Sequence, residues 1–147
     1  MSKKPIFFFV WLSILAFANT VMAMKDRVFV DEFGFDEADS TVFFQKAVDS
    51  GAKEVVVRNL KKDWVLGPVL LSGNQTIILE EGVVIKGHLS AFGKRKRAIF
   101  NVFAKRNIRI LGKDSKMIMP DVKNAPEAEW SYANCISLWG SANVEIR

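Results

Sequence analysis

The fold is decided by a repeat: AIFNVFAKRNIRI at positions 98–110 is followed by NCISLWGSANVEI at positions 134–146. The two stretches align at a constant offset of 36 residues. The paired positions are Phe100/Ile136, Val102/Leu138, Phe103/Trp139, Asn107/Asn143, Ile108/Val144 and Ile110/Ile146. Repetition at such a period is typical of proteins built from stacked structural units. Each copy is predicted to form a short strand, a tight turn ending in asparagine, and a second short strand.

A weaker third copy precedes these two at positions 69–77, where Asn74 lies 33 residues before Asn107. Asparagine suits such turns because it tolerates the left-handed backbone region and its amide bonds to neighbouring backbone groups. If the copies stack, we expect these asparagines to form a ladder.

Apolar and polar residues alternate within the predicted strands. Ile108 and Ile110 flank Arg109, and Val144 and Ile146 flank Glu145. This pattern gives each strand one buried and one solvated face. Strands this short bury their apolar faces only by stacking on neighbouring copies, which favours a solenoid. An antiparallel meander is the alternative architecture.

One amphipathic helix is predicted before the repeats. Residues 39–41 (Asp-Ser-Thr) offer side-chain oxygens for its start, and Gly51 favours its end. Its apolar face contains Phe43 and Ala47, or else Phe44, Ala47 and Val48. A strand at 54–57 follows. We expect this helix to cover the open end of the stack, because the first unit of a solenoid needs a lid.

The N-terminus has the pattern of a secretory signal peptide. Lys3 and Lys4 precede an uncharged apolar run at 6–17, and Val21-Met22-Ala23 fits a cleavage site. An uncleaved anchor is the alternative, but the run is shorter than the roughly 20 residues of a membrane span. We therefore predict a signal peptide at 1–23, a β-domain at 24–147, a secreted or periplasmic location, and no stable membrane anchor after cleavage.

Charge and cysteine content exclude several classes of protein. Removing Lys3 and Lys4 from the 21 basic residues leaves a formal charge of about +3 against the 16 acidic ones. That excess is too small to predict nucleic-acid binding. Cys135 is the only cysteine, which rules out an internal disulfide and cysteine-based zinc sites.

Several segments resemble the N-terminal part of the pectin-lyase-like superfamily, which includes polygalacturonases and pectate lyases. The segments are VFVDEFG (28–34), DST (39–41), FQKAV (44–48), NQTIILEEGVVIKG (74–87), NIRILG (107–112) and NVEIR (143–147). The resemblance covers nearly all of the chain after position 24. It implies an all-β fold: a right-handed, single-stranded parallel β-helix with an N-terminal capping α-helix, truncated after a few coils.

The resemblance also implies a function: an exported glycoside hydrolase or polysaccharide lyase, here an N-terminal fragment whose catalytic residues lie beyond Arg147. A non-catalytic glycan-binding or adhesion protein and an inactive truncated product are the alternatives, because one fold serves many functions. Gly34-Phe35, residues 36–38 and residues 58–60 depart from the family pattern. These departures argue against a standard polygalacturonase.

Candidate site residues are few. Asp36, Glu37 and Asp39 form an acidic cluster whose spacing is not that of an EF-hand, so helix entry is preferred over calcium binding. The basic loop Gly93–Arg97 is suited to anionic polysaccharide or to simple solvation. Glu127, Glu129 and Trp130, in an insertion predicted at 113–130, are suited to gripping sugar or to forming a solvated loop.

His88 lacks a triad partner arrangement, so we predict a loop residue. Cys135 is predicted to be a buried free thiol, and Asn74-Gln75-Thr76 matches a glycosylation sequon. We predict polysaccharide as the partner, with no metal and no cofactor. Catalytic and substrate-binding residues are not assigned, and the oligomeric state is left open.

Overall fold

The computed structural model describes residues 25–92, 98–120 and 134–147. Within these ranges the chain forms eleven short β-strands, one α-helix and two 3₁₀ turns, Val30–Glu32 and Leu89–Phe92. The strands are β1 Arg27–Phe29, β2 Glu54–Val57, β3 Trp64–Leu66, β4 Val69–Leu70, β5 Gln75–Leu79, β6 Val84–Gly87, β7 Ala98–Phe103, β8 Arg106–Gly112, β9 Lys116–Ile118, β10 Asn134–Trp139 and β11 Ala142–Ile146. The helix, α1, spans Thr41–Asp49.

The strands form three parallel sheets. Sheet A has the order β1-β2-β5-β8-β11, sheet B has β3-β6-β9, and sheet C has β4-β7-β10. From β2 onward the chain visits A, B and C in that order and then returns to A. We call one strand from each sheet, in succession, a layer. The prediction of a β-rich chain with parallel pairing and one helix is confirmed, and the antiparallel meander is wrong.

The register of the sheets reproduces the repeat seen in the sequence. In sheet C, Phe100 pairs with Ile136 and Val102 with Leu138, and in sheet A, Ile110 pairs with Ile146. All three pairs have the predicted offset of 36. The earlier copy is less regular, because β5 and β8 pair at an offset of 33 while β4 and β7 pair at 31. Between equivalent positions, the path from sheet C to sheet A is therefore two residues shorter in the earlier copy (69 to 75) than in the next one (100 to 108).

Alternation places one face of every sheet in a shared core. Buried side chains from all three sheets, such as Ile77 of sheet A, Trp64 of sheet B and Phe100 of sheet C, belong to one contiguous cluster. Parallel strands of two to seven residues bury too little apolar area to be stable alone. Their stability therefore comes from stacking around this common core.

An asparagine ladder runs along the connections that lead from sheet C into sheet A. Asn74, Asn107 and Asn143 all have left-handed backbone conformations, with φ between 54° and 57°. The Asn107 Nδ2 donates to Asn74 Oδ1 at 2.8 Å, and Asn143 Nδ2 donates to Asn107 Oδ1 at 2.7 Å. The predicted ladder is confirmed. Asparagine fits because it combines a tolerated left-handed backbone with a side chain that both donates and accepts.

Helix α1 buries the second of the two faces considered from sequence: Phe44, Ala47 and Val48. Phe44 lies against Phe100, with ring centroids 5.3 Å apart. At the end of the helix, Gly51 has φ 77°, as expected of a glycine that stops a helix. The helix therefore packs directly on the core of the stack.

Two three-residue strands, β3 and β9, were not anticipated from the sequence. β9 lies inside the segment 113–130 predicted as an insertion, which shortens that insertion. The predicted signal peptide at 1–23 and the basic residues 94–97 lie outside the described residues, as do Glu127, Glu129 and Trp130.

Candidate functional site

A surface cavity of about 350 Å³ lies on the outer side of sheet B, near the first layers. Its lining residues are Glu37, Lys61, Lys62, Asp63, Val65 and Lys86. Strand alternation explains its floor. Trp64 and Ile85 are paired and point inward, so their neighbours Val65 and Lys86, also paired, face outward. The volume is at the lower end of the range for small-molecule sites.

The loop that carries the cavity's lysines is fixed by Asn59. Its side-chain oxygen accepts a hydrogen bond from the Lys61 N–H at 3.0 Å, and its amide donates to the Glu81 carbonyl at 2.8 Å. Its backbone N–H donates to a carboxylate oxygen of Glu80 at 2.8 Å. Lys61 itself has φ 60°, a conformation uncommon for lysine. The loop is therefore tied to the next layer rather than left to solvent.

The opposite wall is supplied by the segment that leads into α1. Phe35 packs edge-on against Trp64, with ring centroids 4.9 Å apart. The buried hydroxyl of Ser40 accepts from the Asp36 N–H at 2.9 Å and donates to the Asp36 carbonyl at 2.7 Å. These contacts hold Glu37 at the cavity rim.

The cavity carries three lysines and two carboxylates, so it has a net positive charge. Lys62 Nζ lies 2.8 Å from Glu37, and Lys86 Nζ lies 2.5 Å from Asp63. The hydrogen bond from Lys62 to Glu37 raises the pKa of that lysine, which stays cationic. Both pairs are about half exposed, so they are weak and exchangeable. Lys61 forms no ion pair with any described residue.

The acidic residues predicted before the helix form separate local contacts rather than one shared site. Asp36 accepts from the Ala38 N–H at 2.8 Å, Asp39 accepts from the Thr41 N–H at 2.9 Å, and Glu37 pairs with Lys62. Among the described residues no group of three or more His, Cys, Asp or Glu could hold a metal ion. The arrangement supports the helix-entry interpretation of Asp36 and Asp39.

The histidine and the cysteine are separate from this cavity. His88 Nδ1 lies 3.0 Å from the Ser90 hydroxyl on an exposed turn, and no carboxylate of the described ranges forms an ion pair with the histidine. The half-buried Cys135 thiol lies 3.5 Å from the Met117 carbonyl. Burial raises the pKa of Cys135, which favours the thiol over the reactive thiolate.

In chain order, β6 of sheet B is followed by β7 of sheet C, and β9 of sheet B is followed by β10 of sheet C. The sequence analysis missed Lys61, Lys62, Asp63 and Lys86. Two features of the sequence could have pointed to them: the Lys-Lys-Asp run directly before β3, and the alternation that turns Lys86 outward.

Comparison with protein-family models, with curated proteins and with solved structures found no match to this chain. In the part of the chain that the structure describes, no helix is both long and apolar enough to span a membrane.

Proposed function

We propose that this chain is the N-terminal cap and first coils of a right-handed parallel β-helix in an exported protein that binds anionic polysaccharide. The repeated A–B–C order of the strands, stacked in register, carries the architectural part of this proposal. Connections between parallel strands of one sheet are right-handed in about 98% of known cases, which supports the handedness. The resemblance to the pectin-lyase-like superfamily points to the same architecture.

The cavity on sheet B supports the second part of the proposal, the binding of anionic polysaccharide. Polysaccharides present hydroxyl groups and, in anionic chains, acid groups at regular intervals. Lys61, whose ammonium group forms no ion pair within the described ranges, is suited to an acid group, while Glu37 and Asp63 are acceptors for sugar hydroxyls.

The resemblance includes hydrolases, lyases and non-catalytic binders. Glycoside hydrolysis needs two carboxyl groups on either side of the scissile bond, one of them free to donate a proton. Glu37 and Asp63 are instead each engaged with a lysine. Binding is therefore the function that the described residues support best. Hydrolase or lyase activity of the intact protein rests on the resemblance.

The test is retention on immobilised polysaccharides: polygalacturonate, a sulfated glycan and a neutral glucan. We expect the chain from residue 24 onward to be retained by the anionic polymers and released by salt. Lys61→Gln and Lys86→Gln should each weaken retention severalfold. Lys113→Gln is the matched control, because Lys113 is an exposed lysine paired with Glu81 outside the cavity.

Two outcomes would refute this proposal. One is a correctly folded wild-type chain that none of the polymers retains. The other is equal loss of retention in the Lys113→Gln control, which would indicate nonspecific charge attraction. Export is tested separately by the mass of the secreted product, which should begin at Met24.

A further inference from the structure

Two large aromatic side chains stand on the outer face of sheet C. Phe103 is 60% exposed and Trp139 is 72% exposed. They occupy paired positions on the neighbouring parallel strands β7 and β10. Their neighbours Val102 and Leu138 are also paired and point toward the core, so alternation directs Phe103 and Trp139 outward.

Among the aromatic side chains that the structure describes, Phe103 and Trp139 stand out by their exposure. Trp64, Phe44, Phe92 and Phe100 are all buried to within 1%. Phe103 and Trp139 occupy outward positions, because the inward positions beside them belong to Val102, which is 1% exposed, and to Leu138, which is 49% exposed. Large apolar side chains kept at the surface commonly mark an interaction site.

The backbone beneath the aromatic pair is tightly held. The Ala104 N–H donates to the Trp139 carbonyl at 2.8 Å, which links the two turns. The Ser141 hydroxyl lies 3.3 Å from the Val102 carbonyl and 3.2 Å from the Trp139 carbonyl. Gly140 has φ 59°, a conformation that glycine adopts without strain. A platform fixed in this way loses little entropy when it binds.

We propose that Phe103 and Trp139 form a second polysaccharide subsite, on which the apolar faces of successive sugar rings pack. Adjacent strands are about 4.8 Å apart, which is close to the length of one sugar unit in an extended chain. Such a chain crossing the strands would place one ring near each aromatic side chain. This inference rests on the proposed polysaccharide function and adds a site on a different sheet.

Two cations follow Phe103 closely in the chain and favour acidic sugars. Lys105, in the turn after β7, and Arg106, the first residue of β8, are both exposed. Neither forms an ion pair with a residue that the structure describes. Aromatic faces supply contact area for ring C–H groups, and the adjacent cations attract carboxylate or sulfate groups. The combination favours an anionic polysaccharide over a protein partner, which would need a larger apolar surface.

The experiment measures the affinity of oligogalacturonate, of a sulfated oligosaccharide and of a neutral β-glucan oligosaccharide by calorimetry. Trp139→Ala and Phe103→Ala should each weaken binding of the anionic oligosaccharides, by on the order of tenfold for the tryptophan. Trp139→Phe keeps a ring and should recover most of the affinity. Val42→Ala is the matched control, because Val42 is also 60% exposed but lies on α1. The two anionic ligands distinguish carboxylate from sulfate.

The outcomes separate this inference from the proposed function. If wild type binds and Trp139→Ala binds equally well, the aromatic subsite is wrong and the proposed function stands. If wild type binds no oligosaccharide, both are wrong. If sedimentation shows that wild type self-associates and Trp139→Ala does not, the aromatic pair is an interface between copies of the chain, and the subsite is again wrong.

Discussion

Equivalent residues are buried near the first end of the stack and half exposed at the other end. Ile77, Ile110 and Ile146 are paired in one row across sheet A and point into the same core. Their exposed fractions are 0%, 3% and 51%. The residue type and the strand geometry are the same in all three layers. The energetic value of such an isoleucine therefore depends on whether something covers its layer.

The first end is closed sheet by sheet. β1 pairs with β2 and covers sheet A. At sheet B, the Ser40 N–H donates to the Val65 carbonyl at 2.8 Å. At sheet C, the Gln45 amide accepts from the Leu70 N–H at 2.9 Å and donates to its carbonyl at 3.0 Å. The outer edges of β2, β3 and β4 thus each have hydrogen-bond partners from the segment that precedes them.

At the other end, no strand among the described residues pairs with the outer edges of β9, β10 and β11. The apolar side chains there are half exposed, including Ile118, Leu138 and Ile146. Unpaired edges with exposed apolar groups are prone to intermolecular pairing. The comparison shows that in this fold the cap residues, rather than the strand sequences, decide which edge is protected.

The largest expected effect is the difference between Ile77→Ala and Ile146→Ala. A fully buried isoleucine truncated to alanine typically costs about 2–5 kcal/mol of unfolding free energy. We expect a cost in that range at Ile77 and less than half of it at Ile146, because half of the Ile146 side chain is already in water. Denaturant unfolding of both variants measures this. Equal costs would contradict the unequal cover of the two ends.

The asparagine ladder gives the next effect. Asn107 forms two ladder hydrogen bonds, whereas Asn143 forms one with a described residue. Asn107→Ala loses both bonds and places alanine in a left-handed conformation, at a cost of about 2 kcal/mol. Asn143→Ala carries the same backbone strain, because Asn143 has φ 54°, but loses one bond, so it should cost less than Asn107→Ala. Asn107→Gly is the control for the backbone, because glycine removes the bonds without the strain, and it should be milder than alanine.

The sequence was sufficient to predict which asparagines and isoleucines stack on one another. Repetition at an offset of 36 reports directly which residues stack, so the register of β7 with β10 and of β8 with β11 could be predicted. The helix was recognisable from its ends at Thr41 and Gly51. Its buried face was not settled, because Phe43 and Phe44 both fit an amphipathic pattern.

Other features depend on contacts between distant segments. β3 and β9 have three residues each, too few to show a periodic pattern. The cavity unites Glu37, Lys61 and Lys86 from three separate parts of the chain. The role of Gln45 follows from its distance to Leu70 in space, 25 residues further along. Such sites become visible only when the layers are stacked.

Gln45→Ala tests the closed end directly and has a smaller expected cost. It removes two hydrogen bonds to Leu70 at a partly solvated position, for a loss of about 1–2 kcal/mol. The variant should also scatter more light at high concentration, because the edge of β4 is uncovered. Gln45→Glu keeps one acceptor and should show an intermediate effect. An unchanged stability and unchanged scattering would indicate that the helix does not protect this edge.

The smallest effect concerns an ion pair at the far end. Arg109 Nε lies 2.6 Å from the Glu145 carboxylate, and this hydrogen bond is the main reason why the pKa of Glu145 is below its ordinary value of 4.5. Because the folded-state pKa is depressed, the stabilisation is fully present above the unfolded-state pKa and is lost as pH falls through the folded-state pKa. Glu145→Gln should therefore be less stable than wild type at pH 7. The difference in unfolding free energy should shrink below about pH 4.5. Unfolding at stepped pH values measures it, and Arg109→Gln should reduce the same pH dependence. A difference between wild type and Glu145→Gln that stays constant down to pH 3 would mean that the pair does not stabilise the outermost layer.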